Sequence, residues 1–183
     1  MQSTSAQRAA PPVRATLKDG RVAGEWVLDP RTSSIRLKSK IIGLVPVHGV
    51  FREASGQGTV LPDGSISGTI TVAAASIDTR NARRDTHLRS ADFFDSANYP
   101  GITFTAEAVG PSSPCVAVAG TLTVRDRARP LSLDAAVSVH GDCEVCLDAE
   151  VVINRAEFGL TWNLLGMASM NNTLTIHAVF TRR

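Results

Sequence analysis

Two stretches of the chain carry side chains able to do chemistry. The first is Cys143-Glu144-Val145-Cys146, with His140 three residues before it and Cys115 further upstream. Three thiolates and an imidazole are a tetrahedral zinc donor set, and Cys-x-x-Cys is also the spacing of a redox pair. A hairpin turn around Asp126–Arg129 that pairs Val124 with Leu131 sets Cys115 opposite His140. The next hairpin, turning near 141–145, brings Cys146 beside them. A strand, however, aims successive side chains at opposite faces, which opposes both Cys143 and Cys146 on one ion. The plainer reading is a set of free thiols beside an exposed His, so neither a metal nor a cofactor is expected.

The second stretch runs from Arg83 to Asp95 and offers Asp85, His87, Asp92 and Asp95 for proton transfer. Asp85 and Arg89 lie four apart, where they can pair on a helix surface instead. Leu88, Phe93, Phe94 and Tyr99 would anchor the segment as a lid. No second group converges on it, so no catalytic residue is assigned. His48, His140 and His177 fall on the polar phase of their segments and read as exposed. The chain has neither a Gly-x-Ser-x-Gly elbow nor a Gly-rich phosphate loop.

The elements that must position these groups are strands. Apolar residues alternate with polar ones in 35–41, 102–108, 131–139, 147–153 and 174–180, so each has one apolar and one wet face. Segments 25–28, 47–55, 66–75 and 116–125 are weaker versions, for about eight strands in all. Pro62-Asp63-Gly64-Ser65, Asp126 to Pro130 and His140-Gly141-Asp142 mark turns. Short links favour antiparallel pairing, and closure into a barrel removes exposed edges. Asp78 or Thr79 is placed to cap a helix through 81–88, and Asn154-Arg155-Ala156-Glu157 has capping-box spacing, giving short helices at the barrel ends.

Composition is consistent with this. The chain has 183 residues, 43% hydrophobic and 20% charged, with net charge +2. One domain over 16–183 with a polar, proline-containing tail over 1–15 fits that length. No basic run suggests nucleic acid, and aromatics at 5% are sparse for base stacking. No apolar run approaches the roughly 20 residues of a spanning helix, so stable membrane insertion is not expected. The N-terminus lacks the apolar core of a signal peptide, and three cysteines cannot all pair; a reducing, cytoplasmic setting is expected.

Several motifs together resemble one family. Trp26-Val27-Leu28-Asp29-Pro30 with Ser33-Ser34-Ile35, Ala75-Ser76-Ile77-Asp78-Thr79, and Arg84 through Asp95 followed by Tyr99-Pro100-Gly101-Ile102-Thr103-Phe104 are similar to YceI-like proteins. Gly120 to Val124, Arg129-Pro130-Leu131 and Ile153 to Gly159 agree. Three departures stand out: Thr32 where the family has His, Asp126 where it has Gly, and an apolar connection over 163–170. The resemblance implies an extended, eight-stranded, lipocalin-like antiparallel barrel. It also implies a protein that carries or sequesters a polyisoprenoid or similar long amphiphile in an apolar pore. Two alternatives are an enzyme acting on such a lipid at the mouth and a filled barrel acting through its surface. A homodimer is also open.

The inward phase supplies the expected ligand-binding residues: Leu37, Phe51, Phe94, Phe104, Leu122, Leu133, Val137, Val151, Ile176 and Phe180. Small inward residues such as Ala106, Gly120, Ala135, Ala149 and Ala178 leave room between them. Burying five carbons contributes roughly 4 kcal/mol at about 0.8 per carbon, against an association cost on the order of 4–15 kcal/mol. Long chains are therefore favoured over short ones. If ligand enters past the 81–95 segment, Phe94 would control release.

Overall fold

The computed structural model describes residues 22–41, 45–112, 114–163 and 168–183. The expected tail over 1–15 and the centre of the 163–170 connection lie outside them. The strands are β1 (Gly24–Leu28), β2 (Ser34–Ile41), β3 (Val45–Phe51), β4 (Ala54–Val60), β5 (Ile66–Ala73), β6 (Ile77–Asp78), β7 (Gly101–Ser112), β8 (Cys115–Val124), β9 (Arg127–His140), β10 (Glu144–Asn154) and β11 (Asn171–Arg182). The order β1-β4-β5-β7-β8-β9-β10-β11 closes on itself through β1–β11, giving an eight-stranded antiparallel barrel. β11 divides its edge: Phe180–Arg182 pair with β1, and Thr173–His177 pair with β2. The β2–β3 hairpin and the short β6 thus branch from the ring at one end.

Three local expectations are corrected. The segment 47–55 is not one strand; it breaks at Arg52-Glu53 into β3 and β4. The alternate positions of β4 that should mark an apolar face are Gly56 and Gly58, which carry no side chain to signal it. The turn expected over Asp126–Pro130 is tighter, formed by Arg125-Asp126 with Arg125 at φ 57°, so Val124 pairs with Arg127 rather than Leu131. The helix α1 (Ala82–Arg89) is capped by Asn81, whose side chain accepts from the Arg84 N–H. Thr79, an expected cap, instead donates its hydroxyl and its N–H to buried Asp85, at 2.6 and 3.0 Å.

The core has two parts. At the end carrying the long connections, Ile35, Phe51, Ile77, Phe94, Leu122 and Phe158 pack in one buried cluster. Phe94 meets Phe51 at 6.0 Å between ring centroids and Phe93 edge-on at 5.0 Å, so the segment after α1 does lie across the barrel with its aromatics inward. Arg84 bonds Thr79, and Arg89 donates to the Ile77 carbonyl, which pins the segment. Arg155, 4% exposed, ties down the other connection by donating to the carbonyls of Leu160, Trp162 and Ser169. At the end with short hairpins, Val22, Trp26, Leu28, Ala178 and Phe180 form the second cluster.

Candidate functional site: an apolar cavity in the barrel

The second cluster is hollow. A cavity of about 160 Å³ lies inside the barrel at its short-hairpin end. Its floor is Ile70, Phe104 and Ile176, which also pack against the filled cluster. Phe104 projects inward because β7 alternates, with Thr105 and Glu107 exposed outside. Its ring lies against Gly120 on the neighbouring strand. A Cβ there would stand 2.9 Å from Phe104 Cζ and 2.1 Å from the Thr105 carbonyl oxygen, so the strands approach this closely only with glycine. A β-bulge between Ala106 and Ala108 sits beside the contact.

Above the floor the walls are thin. Gly58 pairs with Gly68 across β4–β5, and Ala106, Ala135, Ala149 and Ala178 face inward from other strands. Valines 60, 109, 116, 118, 137 and 145 line the upper part. Val22, 1% exposed, enters just before β1, and the Trp26 indole N–H donates to the Val22 carbonyl at 2.9 Å. The polar lining is Gln57, Thr59 and Ser67; among the described residues no Asp, Glu, His, Cys, Lys or Arg lines the cavity. Such a surface gains free energy by exchanging water for an apolar guest.

Of the ten expected ligand-binding residues, Phe104, Leu133, Val137, Ile176 and Phe180 line this cavity. Phe51, Phe94 and Leu122 are in the filled core. Leu37 borders a groove along β2–β3, outside the cavity. Val151 lies two residues past the lining Ala149, toward the filled end. Sequence reasoning missed Val22, Trp26 and the whole β4–β5 wall. The alternation Val116-Ala117-Val118 could have pointed to the upper lining; the glycine-rich wall leaves no such trace.

The polar side chains Asp85, His87 and Asp95 of the 83–95 segment are each engaged in local contacts. Asp85 is buried and held by Thr79. His87 packs against Trp162 with ring centroids 4.1 Å apart and planes tilted by 58°, and stands 3.8 Å from Asp92. Asp95 accepts from Asn98 and faces Arg125 at 3.9 Å. All of this is at the end opposite the cavity. The proposed pairing of Cys115 with His140 is overturned by the tight Arg125-Asp126 turn: Val116 faces Ala135, and Cys115 faces Ser112. His140 faces Glu144, and Cys146 faces Ser138. Cys143 is exposed and Cys146 buried, and that burial pushes the Cys146 thiol above its ordinary range, with the charge of Glu144 adding to it. Among the described residues no helix is long and apolar enough to cross a membrane.

A closed antiparallel barrel with an apolar interior defines a class of small-molecule-binding scaffold, and the comparisons narrow it. Residues 26–181 match the YceI-like domain, and the chain belongs to that family. Protein YceI of Salmonella arizonae is 29% identical over 164 residues, covering 85% of each chain. Protein YceI of Escherichia coli O157:H7 is 30% identical over 125 residues; the match spans 66% of this chain and 65% of that one. In three dimensions the chain is similar to Burkholderia cenocepacia BcnA, with a TM-score of 0.76 at 24% identity, covering 83% of this chain and 98% of that one. It is also similar to a polyisoprenoid binding domain from Saccharophagus degradans implicated in plant cell wall breakdown, with a TM-score of 0.73 at 17% identity, covering 86% and 98%.

Proposed function

We propose that this protein binds the apolar chain of a polyisoprenoid or comparable long amphiphile, and carries or sequesters it without changing it. The observation that carries the reading is the cavity, walled by glycine, alanine and valine and, among the described residues, without a charged side chain. The Saccharophagus degradans neighbour, named for polyisoprenoid binding, supports the ligand class. Cavity size bears on chain length. A dry cavity of roughly 150 Å³ lined by Leu, Ile and Phe holds a benzene-sized guest. As shaped, this one seats about one isoprene unit, whose burial contributes roughly 4 kcal/mol, at the low end of the association cost. Tight binding therefore needs further carbons packed beyond the present cavity, against the upper valines.

Trp26 lines the cavity, and Trp162 is the other tryptophan in the sequence. A Trp162→Phe variant makes Trp26 a reporter inside the site. Its fluorescence should respond saturably to geranylgeraniol and less to isoprenol. Solvent extraction of the purified chain with mass spectrometry should recover an unmodified long-chain lipid. A Trp26 signal indifferent to every chain length, with no lipid recovered, would sink the proposal. Conversion of the added lipid would instead establish the enzyme.

A further inference from the structure

We infer a zinc-binding site on the outer face of the β9–β10 hairpin, formed by His140, Glu144 and Cys146. Their ligand atoms all lie within 4.8 Å of one another. The placement follows from the register. His140 and Glu144 face each other directly across the hairpin, and Cys146 is two residues further along β10. Residues 144 and 146 therefore project from the same face of the strand, alongside their cross-strand partners. Gly141, at φ 63°, makes the turn that sets this register.

The donor chemistry selects the ion. An imidazole nitrogen, a thiolate and a carboxylate suit Zn²⁺, whereas Mg²⁺ and Ca²⁺ prefer oxygen sets. Zinc bond lengths of about 2.0–2.3 Å put neighbouring ligand atoms about 3.3–3.8 Å apart. The cluster has to close by up to about 1 Å, and His140 is exposed, so its side chain has room to move. Ser138, the cross-strand partner of Cys146, already contacts His140 Nε2 at 3.2 Å. That hydroxyl can hold the ring from outside the coordination shell, leaving the other nitrogen for the ion. Three protein ligands leave the fourth position of a tetrahedral ion to water. Binding displaces the Cys146 thiol proton, so one proton leaves for each zinc bound to sulfur. The inner faces of the same strands present Val137, Val145 and Leu147 to the cavity, so the ion would brace the wall of its upper part.

The test is zinc chloride titrated against a competing chelator, with cobalt chloride as a spectroscopic stand-in. One ion per chain is expected, with a sulfur-to-cobalt charge-transfer band. His140→Ala and Cys146→Ser should each weaken zinc binding at least tenfold, and Glu144→Gln severalfold. The double variant Cys115→Ser/Cys143→Ser should bind like the parent. Circular dichroism checks each fold; if Cys146→Ser fails to fold, the exposed His140 decides alone. Unchanged zinc affinity in His140→Ala, or loss of binding in the Cys115/Cys143 variant instead, overturns the site.

Discussion

The two ends of this barrel are built from the same strands yet have opposite interiors. At one end, connections of ten or more residues fold back over the opening and deliver Phe94, Phe158 and Leu160 into it. At the other, the β4–β5 and β9–β10 links are short turns, and neither delivers an aromatic side chain into the barrel. The strands there contribute valine, alanine and glycine, and a cavity remains. Eight strands alone do not decide between a packed core and a ligand site; the connections decide it. Phe104 marks the boundary, and Gly120 lets it lie there.

Truncation should read the two ends differently. Phe94→Ala removes a ring that is 5% exposed and meets two other aromatic rings. It should cost about 3–5 kcal/mol, the largest effect expected, and it should leave lipid release from folded protein nearly unchanged. Val137→Ala at the hollow end removes two methyls that already face a void and should cost about 1–2 kcal/mol. Urea denaturation of the pair checks this. Similar losses for both would mean the hollow end is packed in solution.

The boundary can be attacked directly. Gly120→Ala drives a methyl into the Thr105 carbonyl and the Phe104 ring, so a loss of about 1–3 kcal/mol is expected, accompanied by a changed cavity floor. Wild-type stability would show that β7 and β8 can separate there. The converse substitution, Ala149→Leu, adds volume where volume is missing. Its stability should stay within about 1 kcal/mol of the parent, while the Trp26 response to geranylgeraniol weakens at least tenfold. Unaltered lipid affinity would place the ligand elsewhere.

How much of this could be read in the sequence follows the same division. Strands with clean alternation, such as Ile102 to Ala108 and Leu174 to Phe180, show their inward faces directly, and Phe104, Ile176 and Phe180 line the cavity; alternation alone does not say that a cavity is there, which only the family resemblance implies. The aromatic plug was legible as three large apolar residues interrupting a strand pattern. Its depth was not, because nothing local says whether Phe94 lies over a pore or inside a core. The β4–β5 wall was illegible for a stricter reason. At Gly56 and Gly68 the neighbouring backbone crowds any Cβ, Gly58 carries none either, and periodicity is a property of side chains. The cysteine register failed through one turn, since Arg125 in a left-handed conformation shortens the hairpin by several residues.

The smallest expected effect is electrostatic and again separates the ends. Asp78, on the cap strand β6, accepts from the Arg52 guanidinium at 2.7 Å and from the Arg80 N–H, which holds its carboxyl below the ordinary 3.8. Asp63, in the β4–β5 turn, is lowered too, chiefly by the Ser65 N–H. A lowered carboxyl pKa means the folded protein gives up this proton more readily than the unfolded chain. In acid the unfolded chain binds more protons, so the contribution is complete above the unfolded value and is lost as pH falls below about 3.8. Both groups are solvent-screened, so both effects are small. They differ in reach: the Arg52–Asp78 pair joins the cap to the barrel across 26 positions of sequence, whereas the Asp63 bond spans two. Asp78→Asn should therefore flatten the acid side of the stability profile more than Asp63→Asn. Urea midpoints measured from about pH 5 down to about pH 2.5 would show it, and added salt should shrink the difference. An acid loss in Asp78→Asn as steep as in the parent would mean the pair does not form in solution, and the cap would then be held by Asp85, Arg89 and the aromatic contacts alone.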